Sequence, residues 1–414
     1  MPDIRPFTPY YYACGRAGEQ SSNGALRKAV APPYDVISKD DEKRMKQFEY
    51  NITHIILPET YKKAAEIQEK WVSENIFINN AKKAMYIYGI EFTINDDPTV
   101  IKRYGIVALL RLTEFFSGAD VHPHEMTFPK YTEDRFKLIS ETDSNYSPIF
   151  TIYDGKGFAN EIINKHINGQ PFLETVDDDG FAHKIWVIEN EQDIEYIQNK
   201  FATTPVIIAD GHHRYITALK RSRLGGCKYI MSMFIDFNDP GLKIYTSYRM
   251  IKKMSYQNMD EVIDKMKGFF DISELGTFDD LIDAINSERE RRAFGLAFNE
   301  RFVVFYLDNS VNTEEYIDEP QSKKWRNLPV PILHYVVFDK FLKIPKEEIV
   351  FKKNLAGIKR LFKDKHFDAV FMVSNTKLED IKKITELGEI MPQKSTYFFP
   401  KPLSGLLIHK HREE

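Results

Sequence analysis

The sequence predicts a mixed α/β protein with two domains, and three observations support this fold class. First, 414 residues with 43% hydrophobic and 29% charged content are typical of a globular chain long enough for two or three domains. Second, an apolar, β-branched run at 206–209 is followed by a tight turn and then directly by a helical pattern. Third, helical and strand patterns alternate beyond residue 250. We therefore expect an N-terminal domain at 1–250 and a C-terminal α/β domain at 251–414 that closes a cleft.

Secondary structure in the N-terminal part can be assigned in chain order. An amphipathic pattern predicts a helix at 60–76, and the turn signal Asn-Asp-Asp-Pro at 95–98 separates two strands. The helix after the 206–209 strand extends to about Arg223, because Leu-Gly-Gly at 224–226 is a typical C-terminal stop. The predicted strands lie at 84–92, 105–112, 148–153, 183–188, 206–209, 229–236 and 242–248.

The C-terminal part repeats the same two kinds of pattern in alternation. Its predicted helices lie at 259–270, 278–287, 332–342 and 378–386. Its predicted strands lie at 293–298, 302–307 and 369–373. The mixed-charge run at 287–292 is interpreted as a solvated helix end and not as a nucleic-acid-binding surface.

Charge and cysteine content exclude several classes of function. The formal net charge of −4 gives no overall attraction to nucleic acid or to an anionic membrane. Cys14 and Cys227 are the only cysteines, which is too few for a disulfide framework and suits a reducing compartment. No apolar run reaches membrane-spanning length, and the N-terminus has no signal-peptide pattern. We therefore expect a cytoplasmic protein that binds neither nucleic acid nor a membrane.

The turn after residue 209 is the main candidate for ligand binding. A strand, a turn at Asp210-Gly211 and a helix N-terminus leave several backbone N–H groups without helical partners. His212, His213 and Arg214 fall in the first helical turn, where basic side chains do not favour the helix itself. A bound phosphate would account for them. The alternative is that Asp210 caps the helix and the basic side chains are solvated.

Two further segments carry candidate chemistry. Glu125 lies among prolines and histidines in a predicted loop, where it can act as a general base if its pKa is near neutrality. The alternative is a glutamate that stabilises a surface turn. Lys394, Ser395 and Thr396 follow a proline turn and can hold phosphate oxygens, although no Walker pattern precedes them. The alternative for that segment is a surface loop.

The histidines also suggest a metal site as an alternative. The titratable side chains that could meet there are His122, His124, His212, His213, Glu125 and Asp210. His212 and His213 are adjacent, so they diverge by about 100° on a helix and do not have the i, i+4 spacing of a zinc-protease helix. This spacing favours Mg²⁺ bound with a substrate by one or two carboxylates, such as Asp210, over a structural zinc site.

Four motifs occur in a fixed order along the chain. They are Pro-His-Glu at 123–125, Ala-Asp-Gly-His-His-Arg at 209–214, Ile-Tyr-Thr-Ser-Tyr at 244–248 and Gln-Lys-Ser-Thr at 393–396. This order resembles the ParB/sulfiredoxin superfamily and, within it, the archaeal ADP-dependent free serine kinases. Sulfiredoxin chemistry is excluded because His212 stands at the position of the required cysteine. The full length also resembles a widespread uncharacterised microbial family marked by Ala-Pro-Pro-Tyr-Asp-Val, Asp-Gly-His-His-Arg and Lys-Ser-Thr-Tyr-Phe-x-Pro-Lys.

The kinase resemblance implies a role for each matched residue. Glu125 would deprotonate the acceptor hydroxyl, and Asp210 would orient the acceptor or hold Mg²⁺. Residues 211–214 would cradle the phosphates of ADP or ATP, with help from Lys394, Ser395 and Thr396. Such a site works mainly by positioning and by stabilising charge on the transferred phosphoryl group.

The resemblance also implies residues around the acceptor. His124 would contact the acceptor. Ser247 stands where the serine kinase has a tryptophan that lines its pocket, so the resemblance does not identify serine as the acceptor. Tyr34 and Asp35, in the additional N-terminal part, are candidates for lining the same pocket. The alternative for these two is a turn fixed by the preceding prolines, with Asp35 as a local cap.

From the resemblance we expect a kinase that moves a phosphoryl group from ADP or ATP to the hydroxyl of a small metabolite. Three other functions stay open. One is a nucleotide-binding or nucleotide-hydrolysing protein without an acceptor, and another is a non-catalytic binder of a phosphorylated ligand. The third is an Asp-His-His phosphoesterase, which Gly211 disfavours because it interrupts that triplet.

Overall fold

The structure of the protein is a computed structural model that describes most of the chain. The described residues are 2–15, 22–79, 82–94, 97–115, 121–125, 129–287, 292–353, 355–392 and 394–411. Parts of the predicted turn at 95–98 and of the charged run at 287–292 lie outside them, and so does Gln393. The chain forms two compact units. The first unit is Met1–Lys243 with Phe398–Glu414, and the second unit is Ile244–Tyr397.

These unit boundaries differ from the expected division at residue 250, because the C-terminal segment belongs to the first unit. Ser404 and Ala31 exchange two backbone hydrogen bonds (2.7 and 3.2 Å), and Ile408 and Tyr10 exchange two more (2.8 Å each). The apolar side chains of this segment are buried at Leu403, Leu406, Leu407 and Ile408. Backbone pairing and apolar burial together hold the end of the chain in the first unit.

The described strands and helices follow in chain order. The strands are β1 (Ile4–Arg5), β2 (Tyr10–Tyr12), β3 (Phe77–Asn79), β4 (Met85–Ile94), β5 (Asp97–Arg111), β6 (Val121–Pro123), β7 (Ser144–Asn145), β8 (Ile149–Tyr153), β9 (Leu173–Val176), β10 (Ala182–Ile188), β11 (Val206–Asp210), β12 (Tyr229–Asp236), β13 (Lys243–Tyr245), β14 (Tyr248–Ile251), β15 (Phe270–Leu275), β16 (Ala293–Phe298), β17 (Arg301–Leu307), β18 (Ile349–Lys352), β19 (Ala369–Val373), β20 (Tyr397–Phe399) and β21 (His409–Lys410). The α-helices are α1 (Ser22–Ala29), α2 (Lys39–Met45), α3 (Thr53–Ile56), α4 (Tyr61–Ser73), α5 (Pro129–Thr142), α6 (Asn160–Ile167), α7 (Glu191–Phe201), α8 (His212–Arg223), α9 (Met259–Met266), α10 (Phe278–Ser287), α11 (Lys323–Arg326), α12 (Pro329–Pro331), α13 (Leu355–Lys363) and α14 (Leu378–Glu386). A π-helix spans Ile332–Leu342, and short 3₁₀ turns lie at Ala13–Gly15, Tyr34–Val36, Thr313–Glu315 and Lys346–Glu348. None of the helices in the described ranges is both long and apolar enough to cross a membrane.

The first unit is built on a mixed sheet with the strand order β6-β11-β8-β12-β5-β4-β10-β9, and β1 pairs with β5. The pairs β6–β11 and β8–β12 are parallel, and the other pairs along this order are antiparallel. All residues of β8 and β12 are buried. Buried side chains of α7 and α8 join the same apolar core as the strands. This arrangement confirms the mixed α/β class.

The second unit contains its own antiparallel sheet, with the order β15-β17-β16-β19-β14-β18. Side chains of α9 and of the π-helix pack into one apolar cluster with the sheet. Side chains of α10 and α13 pack into a second cluster with it. Because side chains alternate across a strand, two clusters that share the same strands lie on opposite faces of the sheet. The second unit is therefore also an α/β structure.

Several predicted elements are confirmed, and several helices were not predicted, among them α5, α6, α7 and α13. The strands at 229–236, 293–298 and 369–373 and the helices at 278–287 and 378–386 have the predicted bounds. The strand predicted at 242–248 is interrupted and forms β13 and β14. Helix α5 lies in a segment of polar composition for which no helix or strand was predicted. Its buried residues, Arg135, Leu138, Ile139 and Thr142, have the i, i+3, i+4, i+7 spacing of a helix face.

Candidate functional site

Two neighbouring parallel strands place the main sequence motifs next to each other in the first unit. In the register of β6 and β11, Val121 pairs with Val206 and Pro123 pairs with Ile208. His124 and Glu125 therefore follow the end of β6, beside the end of β11. The carboxyl ends of adjacent parallel strands are a common place for ligand sites in α/β proteins. The two motifs are thus brought together at one edge of the sheet.

Gly211 makes the turn from β11 into helix α8. Its φ is 95°, in the left-handed region, and it occupies the N-cap position without a side-chain cap. The N–H of Tyr215 donates to the Gly211 carbonyl (2.9 Å), so the helix begins there. The backbone N–H groups before Tyr215, at the start of helix α8, have no intrahelical partner, and the helix dipole is positive at this end. No acidic residue lies in the first turn of the helix. The helix end therefore suits an anion.

A methyl group at Gly211 is expected to disturb this turn. A Cβ there would lie 2.8 Å from Ile149 Cγ2 and 2.9 Å from Arg214 Nη2, whereas a Cβ at Gly180 (φ 84°) would meet no atom within 4 Å. Both alanine variants carry the left-handed strain, but only Gly211→Ala adds a steric conflict. We expect Gly211→Ala to lower the free energy of unfolding by about 1–2 kcal/mol more than Gly180→Ala. Urea denaturation of both variants measures the difference, and equal losses would contradict the close packing at Gly211.

His124 and His212 form a buried pair behind this turn. Their side chains are 1% and 8% exposed, and their ring centroids lie 4.8 Å apart. The backbone N–H of His124 donates to His212 Nε2 (3.2 Å), and His124 Nδ1 contacts the Ile208 carbonyl oxygen (2.5 Å). Burial lowers the pKa of both rings, and the neighbouring cationic groups lower that of His212 further. Two neutral rings thus connect the end of β6 to helix α8.

This pair predicts a loss of stability in acid. Because the folded pKa values of His124 and His212 are lowered, the unfolded chain binds protons below pH 6.5 that the folded chain does not. The free energy of unfolding should therefore fall as the pH drops below 6.5, by up to about 1.4 kcal/mol per pH unit for each ring. Denaturation of the wild type and of His212→Gln between pH 8 and pH 5 tests this. The variant should show the shallower slope, and parallel slopes would contradict neutral burial.

Arg214 forms an ion pair with Asp210. Its Nη1 donates to Ser147 Oγ and to the Pro148 carbonyl oxygen (2.8 Å each). Its Nη2 donates to Asp210 Oδ2 (3.0 Å). The sequence predicted that Arg214 contacts nucleotide phosphates, but most of its hydrogen-bonding capacity is directed to these protein groups. Arg214 therefore fixes the orientation of the Asp210 carboxylate.

Lys401 is the second cation at Asp210, and the sequence did not predict it. Its side chain is 6% exposed, and its Nζ lies 2.6 Å from Asp210 Oδ1 and 2.6 Å from Asp35 Oδ2. Burial opposes the charge on Lys401, but the two carboxylates outweigh that effect and raise the pKa of its ammonium group. A permanent positive charge is thus held between Asp35 and Asp210. The resemblance already included Lys401 in the final Lys-Ser-Thr-Tyr-Phe-x-Pro-Lys motif, which is the signal that could have identified it.

Arg103 anchors the segment that carries Lys401. Its guanidinium is fully buried and donates from Nη1 to the Phe399 carbonyl oxygen (3.0 Å) and from Nη2 to that of Pro400 (2.5 Å). The same guanidinium lies 4.7 Å from the centroid of the Phe150 ring. Burial lowers the pKa of Arg103 to about 10, which still leaves it charged at neutral pH. Arg103 therefore fixes the backbone just before Lys401.

Tyr34 and Asp35, expected to line the pocket, lie at this site. The Arg135 guanidinium stacks 4.1 Å above the Tyr34 ring, and Asp35 contacts Lys401. Burial and the adjacent Asp35 raise the pKa of Tyr34 to about 12, so its hydroxyl is neutral. Tyr34, Arg135 and Arg214 line a cavity of about 60 Å³. That volume is room for a few water molecules or a small polar group.

The remaining predicted residues are divided between this site and the second unit. His213 lies near Thr132, with 3.5 Å between Nδ1 and Oγ1. In the second unit, Ser395 is buried and its hydroxyl donates to the Pro392 carbonyl (2.6 Å). The buried Arg249 donates to the carbonyl oxygens of Ser247 and Lys394 (the latter at 3.2 Å), and Thr396 and Ser247 are themselves buried. The second unit thus contains four of the predicted site residues: Ser247, Lys394, Ser395 and Thr396.

Comparison with solved structures gives distant similarities only. A point mutant of a free serine kinase in complex with AMP is 14% identical, with a TM-score of 0.36 over 69% of this chain and 88% of that chain. A C-terminally truncated SbnI from Staphylococcus aureus is 10% identical, with a TM-score of 0.37 over 73% and 87%. A conserved hypothetical protein from Pyrococcus furiosus is 17% identical, with a TM-score of 0.33 over 68% and 90%. Similarities this distant do not establish a shared reaction.

Comparison of sequences identifies a family. No curated protein matches the chain significantly. A family model described as "Protein of unknown function (DUF1015)" matches residues 4–330, which is more than half of the chain. The match includes β6, β11 and the start of α8, where Glu125, Asp210 and Gly211 lie. The chain therefore belongs to the DUF1015 family.

Proposed function

We propose that this protein is a phosphotransferase that moves a phosphoryl group from ADP or ATP to a hydroxyl of a small metabolite. One observation carries the proposal: β6 and β11 bring Glu125, Asp210 and the N-terminus of α8 to the same edge of one sheet. A carboxylate base beside an anion-binding helix end is the minimum that such a transfer needs from the protein. The buried Lys401 adds a fixed positive charge at Asp210.

In this proposal the phosphate chain of the nucleotide binds to the backbone N–H groups at the start of α8. Glu125, which is partly buried, accepts the proton of the acceptor hydroxyl. The acceptor oxygen then forms a bond to the terminal phosphorus, and the bond from that phosphorus to the bridging oxygen breaks. The nucleotide leaves with one phosphate fewer. Asp210, held by Arg214 and Lys401, orients the acceptor, and His124 and His212 position the loop and the helix behind it.

The donors at Asp210 decide whether this carboxylate can bind Mg²⁺ directly. One carboxylate oxygen accepts from Arg214 and the other contacts Lys401, so two cations already neutralise this group. Across the described ranges, no group of three or more His, Cys, Asp or Glu side chains is placed to hold a metal ion. These residues do not fit a direct Mg²⁺ ligand set. If Mg²⁺ takes part, it would enter with the nucleotide and be held mainly by phosphate oxygens and water.

A labelling experiment tests the proposal. The protein is incubated with ADP or ATP, labelled in the terminal phosphate, and with pooled hydroxyl metabolites, and the products are separated by mass spectrometry. We expect label in one acceptor, and a rate that depends on the concentration of that acceptor. Release of labelled inorganic phosphate with no acceptor dependence would instead indicate a nucleotide hydrolase. Nucleotide binding without turnover would indicate a ligand-binding protein.

A further inference from the structure

A chain of three hydrogen-bonded titratable side chains contacts the segment that carries Lys401. Tyr88 on β4 and His183 on β10 lie on paired strands and are both buried. The Tyr88 hydroxyl lies 2.9 Å from His183 Nδ1, and His183 Nε2 lies 3.0 Å from Asp177 Oδ2. The backbone N–H of Leu403 donates to the Tyr88 hydroxyl oxygen (3.0 Å). The chain therefore runs from Asp177, in the loop between β9 and β10, to the backbone two residues after Lys401.

The partners determine which atoms of this chain carry protons. The Asp177 carboxylate can only accept, so the hydrogen of the neutral His183 ring lies on Nε2 and its Nδ1 is an acceptor. The Tyr88 hydroxyl accepts from Leu403 and donates its own proton to Nδ1. Asp177 is held in turn by two backbone N–H groups of its own loop, which donate to Oδ1 (3.0 and 2.9 Å). This arrangement satisfies the Tyr88 hydroxyl and both ring nitrogens only while His183 is neutral.

Burial keeps His183 neutral in the folded protein. Burial lowers the pKa of the His183 ring, Asp177 opposes this shift in part, and the Arg103 guanidinium adds to it. The charged and titratable groups at the ring are thus Asp177 from the β9–β10 loop, Tyr88 from β4 and Arg103 from β5. Burial also raises the pKa of Tyr88, so its hydroxyl stays protonated. A proton added to Nδ1 in acid would therefore remove the acceptor of the Tyr88 hydroxyl.

The backbone is held on both sides of Lys401. Arg103 donates to the carbonyl oxygens of the two residues before it (3.0 and 2.5 Å), and Tyr88 accepts from the N–H two residues after it (3.0 Å). The contact with Tyr88 depends on the protonation state of His183, whereas the two contacts with Arg103 do not. Because Lys401 Nζ contacts Asp210, a shift of this backbone would displace the positive charge at that carboxylate.

We propose that His183 is a positioning residue that makes the placement of Lys401 depend on pH. When the ring is neutral, Tyr88 is oriented to accept from Leu403, and the backbone after Lys401 is fixed. When the ring binds a proton from solvent, its Nδ1–H occupies a lone pair of the Tyr88 oxygen. The Tyr88 proton then has no acceptor, and the bond to Leu403 weakens. A slower phosphoryl transfer in acid is the consequence that rests on the proposed function, whereas the pH-dependent contact does not.

Hydrogen exchange of the full chain tests this contact without requiring any activity. Exchange of the Leu403 amide is followed between pH 5 and pH 8, and each rate is compared with the intrinsic rate of an unfolded amide at the same pH. We expect the wild type to lose protection about 3- to 10-fold as the pH falls from 6.5 to 5, which corresponds to the loss of one hydrogen bond. Tyr88→Phe should show that loss at every pH, because it removes the acceptor oxygen.

His183→Gln separates the effect of protonation from that of packing. Glutamine can accept from Tyr88 through its oxygen and donate to Asp177 through its NH₂ group, and it does not titrate. We expect this variant to keep the protection of the wild type at pH 7.5 within about twofold and to show no loss in acid. The control is His166→Gln, which removes a histidine of helix α6 that contacts Asp193 (3.1 Å). The control should keep the wild-type loss of protection at Leu403 in acid.

Amides of the buried strand β12 report the global loss of stability in acid that is expected from His124 and His212. The loss at Leu403 should exceed the loss at β12. Equal losses at both places in the wild type would overturn the proposal, as would an acid loss in His183→Gln equal to that of the wild type or unchanged protection in Tyr88→Phe.

The two proposals fail separately. If these exchange results hold and no acceptor is labelled, the phosphotransferase proposal is wrong and the positioning role of His183 stands. If transfer is observed, its rate should fall more steeply below pH 6.5 in the wild type than in His183→Gln. Identical pH profiles in the two proteins would contradict the link between His183 and the reaction.

Discussion

Replacement of Glu125 by glutamine is expected to lower turnover by about 10²- to 10⁴-fold, the usual cost of losing a general base. The amide has nearly the same shape as the carboxylate but cannot accept the hydroxyl proton. In the proposed site the nucleotide would bind at the N-terminus of α8, so the affinity of the variant for it should stay close to that of the wild type. Steady-state assays with the acceptor identified by labelling, together with nucleotide titration, measure the two effects separately.

Glu133→Gln is the matched control for this variant. Glu133 lies on the adjacent helix α5, and its side chain is exposed and paired with Lys137 (2.9 Å). A surface pair of this kind contributes little to stability, and we expect the control to keep wild-type turnover. Unchanged turnover in Glu125→Gln would remove this residue from the mechanism. Equal loss of nucleotide affinity and turnover would make Glu125 a binding residue instead of a base.

Replacement of Lys401 by methionine is expected to lower the free energy of unfolding by about 3 kcal/mol and to remove most of the activity. Methionine is similar in length but leaves the carboxylates of Asp35 and Asp210 without their shared cation. Loss of one partner of a buried ion pair costs about 3–5 kcal/mol. We expect the lower end of that range, because the side chains of Asp210 and Asp35 are 21% and 41% exposed. Thermal and urea denaturation measure the loss.

Lys410→Met is the matched control, since Lys410 lies in the same C-terminal segment and pairs with the exposed Glu69 (3.0 Å). This variant should lower the free energy of unfolding by less than about 1 kcal/mol.

The raised pKa of Lys401 also determines how stability depends on pH. The stabilising charge of Lys401 is fully present below its unfolded pKa of about 10.5 and is lost only above it. The difference between wild type and Lys401→Met should therefore stay constant between pH 7 and pH 9. A difference that vanished in this range would contradict a charged, buried lysine.

Local patterns predicted much of the fold because they report directly on burial. The strand before Gly211 and helix α8 have the expected positions, since an apolar β-branched run, a glycine turn and a Gly-Gly stop are all local signals. Helix α5 was missed because its many charged and polar residues hid the four buried positions that define its inner face. A count of helical spacing in that segment would have found it.

The candidate site was only partly predictable, because its charges come from distant parts of the chain. Lys401 and Asp35 are 366 residues apart, and no local pattern indicates that they are in contact. The sequence also could not show that His124 and His212 contact each other and the backbone. Their burial depends on the pairing of β6 with β11, which is a tertiary feature. The sequence predicts the residue types of a site more readily than their partners.

The proposed mechanism requires that a nucleotide phosphate binds at the turn between β11 and α8. Hydrogen exchange tests this requirement most directly. Exchange of backbone amides is followed by mass spectrometry with and without saturating ADP. We expect ADP to slow the exchange of the amides at 211–214, because these N–H groups would donate to phosphate oxygens. If calorimetry shows that ADP binds while exchange at 211–214 is unchanged, the nucleotide site lies elsewhere and the proposed mechanism at Glu125 is wrong.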